Sequence, residues 1–313
     1  MDGQQSDRVP LGPSNLQVSR IGVGTNSWGA NGQADPGLRA TFDAAIGAGI
    51  NFFDTAEIYT FGGSERTLGQ FLPSADPRPA VATKFLPYPW RLRQSSLAGA
   101  LRASLARLRV APVDLYMIHF PIPPVAIETW MDALADAVGA GLVRTVGVSN
   151  HSAAQLRRAH AALAARGIAL ACNEVEYSLL KRDVERNGLL ALCRELGVTL
   201  ISYRPLVSGL LTGKYTPDNP PGGLRRLMYN RAYLAEIQPL VALLRQIAEA
   251  RGGKTPSQVA LNWLVCKGAL PIPGAKTVRQ AQENAGALGW RLTDAEMAAL
   301  DGAAEPGKAA VRN

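Results

Sequence analysis

Asp54, Tyr59, Lys84 and His119 are side chains of the types that together can deliver a proton to a carbonyl oxygen. A free phenol titrates near ~10, too high for efficient proton exchange at neutral pH. An ammonium beside it favours the phenolate and lowers that value. A carboxylate keeps the ammonium charged and in place, and an imidazole can orient the carbonyl through a hydrogen bond. Taken singly, each residue has a plainer reading. Asp54 could cap a helix, Lys84 could be a surface lysine, and His119 in an apolar run could be a satisfied core residue. Their positions favour the joint reading, because they fall at or just beyond the ends of consecutive short apolar runs. Other chemistries lack their motifs. His119, His151 and His160 form no HxxxH or HExxH pair, so no metal site is expected. Gly147-Val-Ser149-Asn-His151 breaks the GxSxG pattern, and Gly209–Tyr215 is too short for a P-loop and has no Ser or Thr after Lys214.

The runs that carry these residues begin at Asn51, Ala80, Val113, Val143, Leu170 and Val198. They recur roughly every 30 residues, about the length of one strand-plus-helix unit. An earlier run, Arg20–Thr25, precedes a helical pattern over Pro36–Ala48, and a last one, Leu270–Ile272, precedes Thr277–Ala285. Eight strands apolar on both faces, each followed by a helix, are expected to close as an α/β fold, a (β/α)8 TIM barrel occupying residues 1–313 as one domain. The alternative, a doubly wound open sheet, should show its dinucleotide fingerprint after strand one. Gly22-Val-Gly24-Thr-Asn-Ser27 lacks the third glycine. In a barrel the catalytic groups lie at the C-terminal strand ends, where these four residues fall. Additions are expected outside the repeat. Arg8–Ser19 reads as a hairpin under the barrel floor and Ser208–Arg226 as a Gly/Pro-rich loop. Tyr233–Ala250, Ser257–Val265 and Thr293–Leu300 read as extra helices, the last opening with a capping-box-like Thr-Asp-Ala-Glu.

Composition narrows the class. With 47% apolar and 19% charged residues the chain is an ordinary globular protein. No apolar run reaches the roughly 18 residues of a spanning helix, and Met1–Pro10 lacks an apolar signal segment. Cys172, Cys193 and Cys266 are odd in number and widely spaced, which argues against a disulfide framework and for a reducing cytoplasm. The net charge of +8 comes from scattered arginines, as at Arg102–Arg109, and reads as solvated helix faces plus an anionic small ligand. A nucleic-acid or membrane partner is not expected.

The motifs DTAEIY (Asp54–Tyr59), ATKF (Ala82–Phe85), DLYMIHFP (Asp114–Pro121), VGVSN (Val146–Asn150) and YRPLVSGLLTGKY (Tyr203–Tyr215) resemble the signatures of the aldo-keto reductases. IPGAKTVRQAQEN (Ile272–Asn284) is similar to that family's carboxy-terminal cofactor segment. The resemblance runs from about Val9 to Leu300 and is strongest to a plant and bacterial group that includes plant-type pyridoxal reductases. It implies an NADP(H)-dependent reduction of a small-molecule aldehyde or ketone. Tyr59 would be the general acid, Lys84 and Asp54 its tuning pair, and His119 the carbonyl orienter. Ser149, Asn150 and residue 174 would hold the nicotinamide carboxamide, with Gly24 and Thr25 nearby, and Tyr203 would stack on the ring. Pro205, Leu206, Ser208 and Gly209, with Lys214 and Arg225, would meet the pyrophosphate. Gly274 and Lys276 would flank the adenosine phosphate, and Gln280, Glu283 and Asn284 the adenine. The Gly274–Lys276 turn leads into a helix, a natural phosphate seat. Its lysine, and the absence of an acid there, favour NADPH over NADH.

Three departures from the family pattern stand out. Glu174 replaces a usual Gln, and a carboxylate cannot donate to the carboxamide oxygen. Arg204 replaces a common Ser and could pair with phosphate or with Glu174, or point to solvent. Asn26 stands where many members carry an aromatic wall, leaving Trp28 to supply it. Trp28, Tyr88, Trp90 and Phe120 are therefore expected to line an apolar substrate pocket, although Trp90 could equally pack beneath its own loop. A non-catalytic NADP(H)-sensing regulatory subunit is the alternative function. The intact quartet favours the enzyme.

Overall fold

The structure, a computed structural model, describes residues 8–30, 35–223 and 225–304. Two short strands, β1 (Arg8–Pro10) and β2 (Gln17–Ser19), pair antiparallel with Val9 opposite Val18. Eight parallel strands follow: β3 (Val23–Gly24), β4 (Phe52–Asp54), β5 (Ala80–Phe85), β6 (Val113–Ile118), β7 (Val143–Ser149), β8 (Leu170–Glu176), β9 (Thr199–Tyr203) and β10 (Leu270–Pro271). Each hydrogen-bonds to the next in chain order. The seam between last and first also closes, since Gly22 N donates to the Pro271 carbonyl (2.9 Å) and Gly24 N to that of Pro273 (3.1 Å). A Cβ at Gly24 would lie 2.9 Å from the Ile272 carbonyl oxygen, so this closure requires glycine. The result is a (β/α)8 barrel.

Alternation along the strands divides the apolar residues into two cores. One set points inward and fills the barrel: Phe52, Ala82, Leu115, Met117, Cys172 and Ile201. Leu11 and Val18 of the hairpin are wholly buried against this set and plug the floor. The Gly12 N–H donates to Thr199 Oγ1 at 2.7 Å and ties the plug to β9. The other set faces the surrounding helices, α1 (Pro36–Gly47), α2 (Gly63–Phe71), α3 (Gln94–Leu108), α4 (Ile127–Gly139), α5 (Ala153–Ala165), α6 (Asp183–Arg186) and α7 (Leu189–Glu195). The ring continues through α8 (Arg225–Met228), α9 (Arg231–Ala250), α10 (Pro256–Cys266), α11 (Val278–Ala285) and α12 (Asp294–Ala303).

Local signals explain the helix starts. Asp35 accepts from Gly37 N ahead of Pro36, and Thr255 and Thr293 each form a reciprocal capping box, with Gln258 and Glu296. α12 is fastened through Asp301, which accepts from the Trp263 indole (3.0 Å) and from Lys267 (2.7 Å).

Two expectations need correction. Ser208–Arg226 is not a plain loop: a 3-10 turn spans Val207–Thr212 and α8 begins at Arg225. Arg107 is not simply solvated. Its Nε donates to Glu65 Oε2 at 2.5 Å, and Glu65, wholly buried, accepts from Thr83 Oγ1 at 2.6 Å beside Lys84. A carboxylate buried at that depth needs a cation, and Arg107 supplies it.

Candidate active site

β4 ends in Asp54 and β5 carries Lys84, so neighbouring strands bring an acid and a base together above the barrel core. Lys84 Nζ donates to Asp54 Oδ1 (2.5 Å) and to the Thr55 carbonyl (3.1 Å), and lies 3.5 Å from the Tyr59 hydroxyl. Tyr59 reaches this point through a tight turn, Tyr59–Gly62, in which Thr60 and Phe61 both adopt left-handed backbone (φ 49° and 53°). Such conformations in non-glycine residues cost on the order of 1 kcal/mol or more each and persist only where the surroundings impose them. Here Thr60 Oγ1 donates to the Trp28 carbonyl at 2.8 Å and secures the turn. His119, directly after β6, stands edge-on to the Tyr59 ring (centroids 5.8 Å apart) and stacks on Phe120 (4.8 Å). All four expected catalytic residues thus converge.

A fifth group joins them. Glu174 on β8 is buried, with Oε1 3.3 Å from Lys84 Nζ. In the sequence, Glu174 stands out only as a departure at a cofactor position. That β8 turns this side chain onto a lysine of β5 follows from the closed barrel, which local spacing does not reveal.

Burial and charge set the protonation states. Burial works against the Lys84 ammonium, but Asp54 and Glu174 outweigh it and hold Lys84 above its usual value. Burial pushes the Tyr59 phenol well up; Lys84 pulls against this, while Asp54 and Glu174 push the same way as burial. The expected lowering of Tyr59 by Lys84 is therefore present but overcome, and Tyr59 is a firmly protonated donor. Burial, helped by Lys84, drives His119 down to about 3, so its imidazole is neutral and presents one N–H. Burial and the nearby Asp54 raise Glu174 to about 8 against the pull of Lys84, and Asp54 itself is raised by burial.

The residues expected to hold a nicotinamide cofactor surround this centre on one side. Ser149 Oγ donates to the Glu174 carbonyl (2.9 Å), and Asn150, left-handed at φ 59°, donates through Nδ2 to the His119 carbonyl (3.0 Å). The Tyr203 hydroxyl donates to Asn150 Oδ1 at 3.0 Å, which fixes the half-buried Tyr203 ring. Glu174 Oε2 is buried with no partner among the described residues, as is Nδ1 of His119. An amide that both donates and accepts fits beside Glu174. Past β9, Arg204, Val207, Ser208 and Gly209 are all left-handed, curling the backbone around Pro205 and Leu206. A Cβ at Gly209 would stand 3.0 Å from Lys214 Cε, so the Lys214 side chain packs directly over the glycine. Gly274, Lys276 and Gln280 lie exposed at the start of α11, where Thr277 caps the Gln280 N–H and Gln280 Oε1 accepts from Lys276 N at 2.7 Å. Arg279, not singled out in the sequence, adds a second exposed cation to this first turn. Asn284 Nδ2 donates to the Gly274 carbonyl at 3.4 Å and braces the turn. These residues suit a ligand carrying an amide at one end and phosphates along its length.

Several assignments change. Arg204 pairs with Glu176 (2.9 Å) and the Tyr229 hydroxyl (3.0 Å), not with Glu174. Thr25 is buried, with its hydroxyl committed to the Asp54 carbonyl (2.7 Å) and Ser64 (2.7 Å), so it supports the Asp54 backbone. Glu283 accepts from Thr255 Oγ1 at 3.1 Å and so is tied to the α10 cap, while Arg225 is exposed on α8. Trp28 does not line a pocket. It is wholly buried, donates to the Ala275 carbonyl (2.7 Å) across the barrel seam and packs on Phe53 and Phe71. The other three aromatics reach the surface: Phe120, stacked on His119, is part-exposed, and Tyr88 stacks on Trp90 (4.6 Å, 7°), which is 73% exposed. Trp90 is therefore not packed beneath its loop. Phe61, in the Tyr59 turn, is 93% exposed and was overlooked. So was Glu57, which receives Arg91 and the Leu86 N–H (2.7 Å) and pins the Tyr88–Trp90 loop. An acid lying between Asp54 and Tyr59 was the available signal.

Among the described residues no group of three or more His, Cys, Asp or Glu could hold a metal ion, and no helix is long and apolar enough to cross a membrane. A family model described as the Aldo/keto reductase family matches residues 20–305. The chain is 41% identical over 327 residues to a chloroplastic pyridoxal reductase of Arabidopsis thaliana, covering 98% of this chain and 88% of the relative. It is 35% identical over 275 residues to an NADP(+)-labelled aldo-keto reductase of Schizosaccharomyces pombe, covering 82% and 79% respectively. A thermostable aldo-keto reductase crystallised with the inhibitor epalrestat superposes with a TM-score of 0.76 at 30% identity, covering 95% of this chain and 99% of that one. With the barrel, the Asp54–Tyr59–Lys84–His119 cluster and these likenesses in agreement, the chain belongs to the aldo/keto reductase family of oxidoreductases.

Proposed function

We propose that this protein reduces aldehydes or ketones to alcohols with NADP(H), using Tyr59 as the general acid. The observation that carries the reading is the Tyr59 hydroxyl 3.5 Å from a buried Lys84 paired with Asp54, with neutral His119 edge-on beside it. Bound NADPH would supply the hydride to the carbonyl carbon. Tyr59 gives its proton to the developing alkoxide, and Lys84 stabilises the phenolate left behind. His119 donates its N–H to the carbonyl oxygen and fixes its direction. Ser149, Asn150 and Glu174 would hold the nicotinamide amide, Tyr203 its ring, and Lys276 with Arg279 the adenosine phosphate. The exposed aromatics Phe61, Trp90 and Phe120 favour a flat or apolar carbonyl compound. The pyridoxal reductase relative makes pyridoxal the first aldehyde to try.

The test is NADPH consumption by the purified protein with a panel of aldehydes and ketones including pyridoxal, with identification of the alcohol formed. Turnover with at least one of them is expected. Tight NADPH binding with no carbonyl reduced would replace the enzyme reading with a cofactor-sensing one.

A further inference from the structure

The mechanism above uses one carboxylate to hold Lys84, yet two carboxyl groups face that ammonium. Asp54 Oδ1 lies 2.5 Å from Lys84 Nζ and Glu174 Oε1 lies 3.3 Å away, with both residues and the lysine almost wholly shielded from solvent. A single ammonium neutralises only one carboxylate, so the second acid keeps its proton. The shorter contact assigns the negative charge to Asp54, which leaves the proton on Glu174. Burying a lysine with two full carboxylates would leave an uncompensated negative charge in the barrel, whereas one carboxylate and one carboxylic acid leave none.

We propose that Glu174 is a proton-bearing positioning residue, whose protonated carboxyl keeps Lys84 facing a single negative charge and so sets the proton affinity of Tyr59. This extends the proposed reductase chemistry and rests on it for its effect on turnover, but not for the location of the proton. Lys84 on β5 touches the Glu174 carboxyl, and the titratable groups that act on Glu174 or feel its charge are Asp54 on β4, Tyr59, Cys172 on β8 itself and Tyr203 on β9. Of these only Lys84 is cationic, so loss of the Glu174 proton to solvent adds a negative charge that Lys84 alone must balance. Tyr59 is then harder to deprotonate. Carbonyl reduction, which uses the phenol, is preserved to higher pH, and alcohol oxidation, which uses the phenolate, is held back.

Burial, then Asp54, raises Glu174 from 4.5 to about 8. The folded protein therefore binds more protons than the unfolded chain between these values. Stability from this group is complete below 4.5 and is lost as pH rises through about 8.

Three measurements decide the proposal. Infrared spectra of the wild-type protein, titrated from about pH 6 to about pH 10, should lose a protonated-carboxyl band that shifts with isotope-labelled glutamate and not with labelled aspartate. A band that follows aspartate, or no such band, overturns the assignment. Glu174→Gln should flatten the fall of melting temperature over the same range, and Glu174→Asp should restore part of it. In the same variant the alkaline limb of alcohol oxidation should move to lower pH by roughly one to two units. A Glu174→Gln protein with the wild-type pH dependence of both stability and oxidation refutes the role. Should the glutamate band be present while no carbonyl compound is reduced, the reductase reading fails and the proton assignment stands. If Glu174→Gln does not fold, the infrared titration of the unmodified protein remains decisive.

Discussion

Buried carboxylates occur at both ends of this barrel, and they are treated in opposite ways. At the floor, Asp114 at the start of β6 is buried, and both of its oxygens are satisfied: Oδ1 by Arg78 (2.9 Å) and Arg144 (3.1 Å), Oδ2 by the Val81 N–H (3.0 Å). A leftover donor there, Nη1 of Arg78, sits on a side chain that is 29% exposed. At the mouth, Asp54 and Glu174 share one buried lysine, Glu174 Oε2 and His119 Nδ1 have no partner, and the backbone around Tyr59 is strained. The floor uses cations at the solvent margin, where they can adapt and remain hydrated. The mouth uses a cation with no access to water, so its charge acts at full strength on the group it touches. An isolated buried pair of the second kind adds little to folding stability by itself. It is retained where pre-set charge serves a reaction, and that distinction lies at the centre of the functional reading.

The contrast can be broken most sharply at Tyr59. Tyr59→Phe should lower kcat by about 10²–10⁴-fold, the usual worth of a general acid, while NADPH affinity and melting temperature stay close to wild type. Steady-state kinetics with calorimetry of cofactor binding checks this, and retention of most activity with an aldehyde would sink the mechanism. Next in size is Lys276→Ala at the rim. Losing a charge-assisted hydrogen bond of roughly 1.5–3 kcal/mol should weaken NADPH by about ten- to a hundred-fold and leave NADH nearly unchanged. Equal losses for both cofactors would remove Lys276 from the phosphate site, and a small loss abolished only with Arg279 would mean that the two cations share the task. The smallest effect is expected at the floor. Asp114→Asn should cost about 1–3 kcal/mol of stability, toward the low end because Arg78 and Arg144 are partly solvated, with kcat unaltered. A large loss of turnover in a folded Asp114→Asn protein would show that the two ends are coupled and would undo the comparison.

Much of this architecture was legible before the tertiary structure. Strand periodicity and its spacing placed Asp54, Lys84 and His119 at or beside strand ends, and the capping signal at Thr293 marked a helix start that the structure reproduces. These features are local. A strand end is set by a few residues of apolar pattern, and a cap by residues three apart, so neither depends on how distant segments meet.

What lay beyond reach depended on closure of the sheet. Trp28 looked like a pocket wall because it follows a strand. Only the seam between β3 and β10 shows its indole turned away, to the Ala275 carbonyl. Arg107 looked solvated on its helix until α2 delivered Glu65 to it. Arg204 had several possible partners, and the pairing of β8 with β9 selected Glu176. The sequence by itself determined which chemistry the chain can do, because residue types and strand ends are encoded within single βα units. The tertiary structure alone decided that Glu174 meets Lys84 and Asp54, since three strands separated by other elements converge only when the barrel curls. There burial, which no linear pattern prescribes, sets where each proton resides.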